Sequence, residues 1–97
     1  MKISEITIGD LKEYCGIADN SSATNSLLES FLTAGKEYIK AYCSLTDEEL
    51  DLYKPLAIAL KMFVYDKFEN RSAGTKDTIN ENPAFLAILG LYNKNLL

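Results

Sequence analysis

Leu56-Ala57-Ile58-Ala59-Leu60-Lys61-Met62-Phe63-Val64-Tyr65 is the stretch on which the fold turns. Only Lys61 breaks this run of apolar and aromatic side chains, and Pro55 stands immediately before it. Proline suits the first turn of a helix, where its missing amide has no intrahelical role. The spacing therefore predicts a helix from Lys54 to Asn70, with one longer helix kinked at Pro55 as the other arrangement. A helix that is apolar on nearly every side must be enclosed over most of its circumference. Either the rest of the chain wraps it or a neighbouring subunit supplies part of the cover, and periodicity does not choose between the two. Ile58, Met62 and Tyr65 are the candidate contacts in the second case.

Outward from this helix, the clearest periodic signal lies upstream. Leu27, Leu28, Phe31, Leu32, Gly35, Tyr38, Ile39 and Tyr42 keep the i, i+3, i+4, i+7 rhythm, while Glu29, Lys36, Glu37 and Lys40 form a solvated side. A long amphipathic helix lying on a core is expected. Gly35 in its middle costs up to ~1 kcal/mol relative to alanine and points to close approach of another backbone. Between the two helices, Thr46 and Glu49 have the capping-box spacing, predicting a short helix that carries Leu50, Leu52 and Tyr53.

The ends follow the same logic. Thr7 with Asp10 approximates a capping box, so a short helix is expected with Ile8, Leu11, Tyr14 and Cys15 on one face and Gly16 as its stop. The polar run from Ala18 to Thr24 reads as a loop. Arg71 to Asn82 has the composition of a surface loop, after which Asn82 and Pro83 open a helix containing Phe85, Leu86, Ile88, Leu89 and Tyr92. In the closing Asn93 to Leu97, Leu96 and Leu97 either fold back or dock on a partner. The sum is an all-α fold. It is a small bundle of four to five helices with a long second helix and an apolar central helix, in one domain spanning residues 1–97.

Composition limits the chemistry. The 97 residues are 47% hydrophobic and 25% charged, with a net charge of -4 and an isoelectric point near 4.7. Binding nucleic acid through its phosphates needs clustered Lys and Arg, which this balance disfavours. Without histidine the commonest general base and the usual zinc ligand sets are missing, and Cys15 and Cys43 form no CxxC pair. Both thiols read as reduced, half-buried small hydrophobes, with a Cys15 to Cys43 bridge as the alternative. Asp47, Glu48, Glu49 and Asp51 fit a helix first turn better than a calcium loop. No catalytic, cofactor-binding or metal-binding residue is assigned. Neither a secretory leader nor an apolar run of ~18 residues is present, so no membrane is expected as a partner and assembly in cytosol is. The six tyrosines and four phenylalanines sit mostly at core spacing rather than on a base-stacking platform, and Tyr42 and Tyr92 are the candidates for an interface.

Three features in this order resemble the phage head-tail connector (adaptor) family, which is associated with the portal and DNA packaging. They are the leading helix from Ile8 to Tyr14, the second helix ending Glu37-Tyr38-Ile39-Lys40-Ala41-Tyr42, and the apolar helix closing Tyr65-Asp66-Lys67-Phe68-Glu69-Asn70-Arg71. In the last, Phe68, Glu69, Asn70 and Arg71 are similar to the family's aromatic-acid-Asn-Arg signature. The loop to Asn82-Pro83 and the closing Leu86, Leu89, Leu91 and Tyr92 extend the likeness over most of the chain. Where the family often has an arginine soon after the final tyrosine, this chain has Asn93 and Lys94.

The resemblance implies a non-enzymatic structural protein of a tailed phage or prophage. It implies a homo-oligomeric ring of about a dozen subunits, which requires two different faces of each subunit to meet. The ring would sit at the head-tail junction of the virion, between the portal protein and the head-completion protein, after assembly in host cytoplasm. The expected contact sets the exposed side of the apolar helix against the second helix of the next copy, with Arg71 either bridging subunits or pairing near its own helix end. DNA would pass without specific binding, through a lumen for which Glu29, Glu37, Asp47 and Glu48 are candidates. A small phage-encoded helical regulator that binds a host protein is the competing reading. A helix-turn-helix DNA reader is disfavoured by the acidic balance.

Overall fold

A computed structural model describes residues 1–71, 79 and 82–94. The described elements are a 3-10 turn at Ile3–Glu5, then α1 (Ile8–Cys15), α2 (Ser22–Cys43), α3 (Asp47–Leu50), α4 (Pro55–Glu69) and α5 (Pro83–Leu91). The all-α expectation holds, and among the described residues there is no strand.

Each helix begins where its local chemistry permits. The Thr7 amide donates to Asp10 Oδ2 at 2.9 Å and the Asp10 amide to Thr7 Oγ1 at 3.1 Å, a reciprocal cap that satisfies two donors of the first turn. Thr46 and Glu49 repeat it at 3.0 and 3.2 Å. Asn82 Oδ1 accepts from the Ala84 and Phe85 amides at 3.0 and 3.1 Å, ahead of Pro83 in the first turn. Pro55 opens α4 as a separate helix, so the kinked alternative falls away. At the other end of α1, Gly16 takes the left-handed conformation, φ 70°.

Three boundaries differ from the sequence reading. Helix α2 begins at Ser22, inside the stretch read as loop. Ser21 caps it by accepting from the Thr24 amide at 3.2 Å. Helix α3 stops at Leu50, so Leu52 lies beyond it and is bare, while Tyr53 is half-buried against the core. The turn at Ile3–Glu5 was not anticipated; it buries Ile3, and Ile6 just beyond it is also buried. Ser4 ties this turn to α3, donating from its amide to Asp51 Oδ1 at 3.0 Å and from its hydroxyl to Asp51 Oδ2 at 2.7 Å.

Helices α2 and α4 form the principal pairing, with α1 and α5 packed on α4. Gly35 makes the closeness of α2 and α4 possible. A Cβ there would collide with Leu60 Cδ1 and lie 2.9 Å from Phe63 Cδ1. Beside this contact Tyr38, Phe63 and Phe85 form an aromatic cluster with centroids 5.5 to 6.4 Å apart, joining α2, α4 and α5. The core is one cluster, filled by Leu11, Leu28, Ile39, Leu56, Leu60, Val64, Phe85 and Leu89 among others.

Candidate protein interface

Helix α4 buries Leu56, Ala57, Ala59, Leu60, Phe63 and Val64, yet its enclosure stops short of a full circle. Ile58, Met62, Tyr65 and Glu69 stand at successive three- and four-residue steps and share one outward face. Ile58 is 53% and Tyr65 44% exposed, whereas Met62 is half-buried and touches the core. Fully burying a large apolar side chain contributes about 1.5–3 kcal/mol, so each half-bare residue leaves on the order of 1 kcal/mol ungained.

Helix α1 lengthens this strip. Tyr14 is 45% exposed and its ring meets that of Tyr65 edge to face, with centroids 6.2 Å apart. Two surface hollows share Tyr14. The first is lined by Tyr14 with Met62, Tyr65, Asp66 and Glu69, and the second by Tyr14 with Met1, Asp10, Glu13 and Lys61. Asp66 is oriented by Asn70, whose Nδ2 donates to the Asp66 carbonyl at 2.8 Å and to Asp66 Oδ1 at 3.3 Å. The strip is therefore apolar and basic near Ile58 and Lys61, and aromatic and acidic near Tyr65 and Glu69.

The outer face of α2 carries small side chains. Ser26, Ser30, Thr33 and Ala34 line a shallow hollow with Glu29, and Glu37 is exposed one turn further on. Small residues let another helix approach closely, as Gly35 does on the inner face.

The residues singled out from the sequence are placed as follows. Ile58, Met62 and Tyr65 come together on α4. Tyr42 is 41% exposed on α2, stacked on Tyr38 at 6.2 Å. Tyr92 is half-buried, stacked on Tyr53 at 4.7 Å, so it fastens α5 to the segment after α3. Arg71 is exposed but engaged locally, with its guanidinium over the Phe68 ring at 3.7 Å and an Nη1 donor to the Phe68 carbonyl. Leu96 and Leu97 lie outside the described residues, as does most of the loop before Asn82. Sequence reasoning missed Tyr14, which it placed on one face with Ile8, Leu11 and Cys15; their spacing carries no signal that sets it apart. It also missed the exposure of Leu91, next to the Tyr53–Tyr92 stack.

Among the described residues, the polar groups give no sign of a reactive centre. Burial pushes the Cys15 thiol up, with nearby Glu69 adding to the effect, and burial alone raises Cys43. Cys43 Sγ donates to the Leu89 carbonyl at 3.5 Å. Thiols held in their protonated form are poor nucleophiles. Among the described residues, no group of three or more Cys, Asp or Glu side chains is arranged to hold a metal ion, and no helix is long and apolar enough to cross a membrane.

A family model for the phage gp6-like head-tail connector protein matches residues 5–91. No curated protein and no solved structure matches the chain.

Proposed function

The chain belongs to the phage gp6-like head-tail connector family, a structural rather than enzymatic class found at the virion head-tail junction, and from that premise we propose that it closes into a ring with copies of itself. The ring stands between the portal and head-completion proteins and lets DNA pass. Residues 1–97 act as one connector domain, assembled in host cytoplasm before it joins the virion.

One observation supports the subunit contact above the others: Ile58 is half bare on a helix that buries Leu56, Ala57, Ala59, Leu60, Phe63 and Val64, with Met62 beside it. In the ring, the Ile58–Met62 half of the strip packs on the small-residue outer face of α2 in the next copy. Lys61 beside the strip answers Glu29 and Glu37 beside that face. These two faces differ, as ring closure requires. An acidic protein of net charge -4 also suits a passage that must not hold phosphates.

Met62→Asp places a charge in this contact, and Ile58→Asp does so at a position less engaged with the protein's own core. Both variants are expected to keep the helical circular dichroism of the parent while losing the high-mass particle seen by light scattering and electron microscopy, at raised concentration or with portal protein present. An unchanged particle from Ile58→Asp rejects the contact. A stable one-to-one complex with a host protein, in the absence of any particle, would favour the regulator reading instead.

A further inference from the structure

We propose that Lys61 changes partners when two copies meet, leaving Asp10 and Glu13 of its own α1 for the hollow that Asn25, Ser26 and Glu29 form on α2 of the next copy. This rests on the ring contact of the connector reading. It adds a brake within each copy and a register between copies.

In the single chain Lys61 faces acids. It lines one hollow with Asp10, Glu13, Tyr14 and Met1. The Asp10 carboxyl is held below its ordinary value chiefly by the Thr7 amide and in smaller part by Lys61. Yet among the described residues Lys61 closes no direct ion pair. Its ammonium, on a flexible four-carbon stem, is attracted without being fixed. Tyr14 lines this hollow and also the one beside Met62 and Tyr65, which puts Lys61 at the margin of the bare strip.

The outer face of α2 offers this cation a second seat. Two hollows run along it and share Ser26 and Glu29; one continues to Ser30, Thr33 and Ala34, the other to Asn25 and to Ile8 at the start of α1. The second holds the Glu29 carboxylate and a carboxamide oxygen, Asn25 Oδ1, that is closed off from solvent with no donor in its own chain, and nothing that lines it is basic. An ammonium brings three donors, and the soft terminal torsion of Asn25 lets its oxygen turn toward an arriving cation. Spacing supplies the register. Lys61 lies three residues beyond Ile58, about 4.5 Å along the helix, and Ser26 four residues before Ser30, about 6 Å. With α4 antiparallel to the neighbouring α2, Ile58 over Ser30 brings Lys61 over Ser26 and Glu29. Glu37 stands one turn past the first hollow, at the opposite end, so the pairing selects Glu29.

The test is a charge swap in the full chain, read by light scattering at low salt as the concentration at which half the protein is assembled, with circular dichroism to confirm that each variant stays helical. Lys61→Glu and Glu29→Lys are each expected to raise that concentration about threefold to fivefold, and the two together to bring it back near the parent value. Glu37→Lys in place of Glu29→Lys should not restore it. Lys61→Gln, which adds no negative charge beside Asp10 and Glu13, should raise it about twofold. For the brake, Glu13→Gln is expected to lower the concentration more than Glu48→Gln, which removes the same charge elsewhere, and the two should act alike once Lys61 is Gln. A double variant no better than either single one, equal rescue by Glu37→Lys, or Glu13→Gln no different from Glu48→Gln would overturn the proposal. The parent chain keeps the two ideas apart. If it assembles while the swap fails, only the partner change is lost, and if it forms no particle even with portal protein present, the ring itself falls and takes the partner change with it.

Discussion

Gly35 shows how far a single position can govern the fold. In mid-helix an alanine would ordinarily gain about 1 kcal/mol over glycine. Here the added methyl meets Leu60 and Phe63, which are 0 and 3% exposed and have no open space to enter. Overpacking of this kind costs about 1–3 kcal/mol, so Gly35→Ala is expected to lose on the order of 1 kcal/mol net in urea unfolding. A stabilised variant would mean that α4 can move away from α2. The sequence already pointed to this position, because glycine in a strong helical rhythm needs a steric reason. It did not point to Tyr14. The same three- and four-residue spacing describes a residue inside a face and one at its margin, and only the placement of α4 beside α1 decides that the Tyr14 ring is left half outside.

At the scale of the element, caps rather than propensity set the boundaries, and this explains both what was legible and what was not. Thr7–Asp10, Thr46–Glu49 and Asn82–Pro83 are local motifs whose hydrogen bonds close within three residues, so they can be read without knowing the fold. The start of α2 could not, because its first turn is mostly polar and its apolar rhythm begins only at Leu27. There the side chains of Asp19, Ser21 and Thr24 bond one another and the backbone, a network that looks like loop composition until the helix is seen. The turn at Ile3–Glu5 is held to Asp51, 47 residues away, which no local pattern reveals.

These caps, together with the Lys94–Glu49 and Ser4–Asp51 contacts, are expected to make the protein acid-sensitive. The pKa of Asp10 is lowered by the Thr7 amide, that of Asp19 chiefly by the Thr24 hydroxyl, that of Glu49 chiefly by Lys94, and that of Asp51 chiefly by the Ser4 hydroxyl. Each group thus binds its proton less readily folded than unfolded. The unfolded chain takes up more protons in this range, and stability rises with pH. The contribution is complete above the ordinary carboxylate values and is lost as pH falls through the lower folded ones. The thermal midpoint should accordingly drop between about pH 5 and pH 3, and a flat profile would show that these bonds do not persist in solution. For α5, Asn82→Ala removes the acceptor for two amides. It should cost about 1 kcal/mol, or roughly 4–8 °C in midpoint for a domain of this size.

For the whole molecule, the balance between charge and bare apolar surface decides how copies meet. Each copy carries a net charge of -4, so bringing many together is opposed by mutual repulsion that salt screens. The proposed contact is mainly apolar, with Lys61 against Glu29 and Glu37 at its edge, and exposed ion pairs of that kind contribute no more than about 1 kcal/mol. Screening should remove more repulsion than attraction. Raising sodium chloride from about 0.05 M to about 0.5 M, which shortens the screening length to a few ångströms, is therefore expected to increase the assembled fraction measured by light scattering. Sulfate at equal ionic strength should increase it further, because it strengthens the burial of apolar surface. Assembly that dissolves as salt rises would mean that ion pairs between copies carry the contact, and the bare strip at Ile58 and Met62 would then have to belong to another partner.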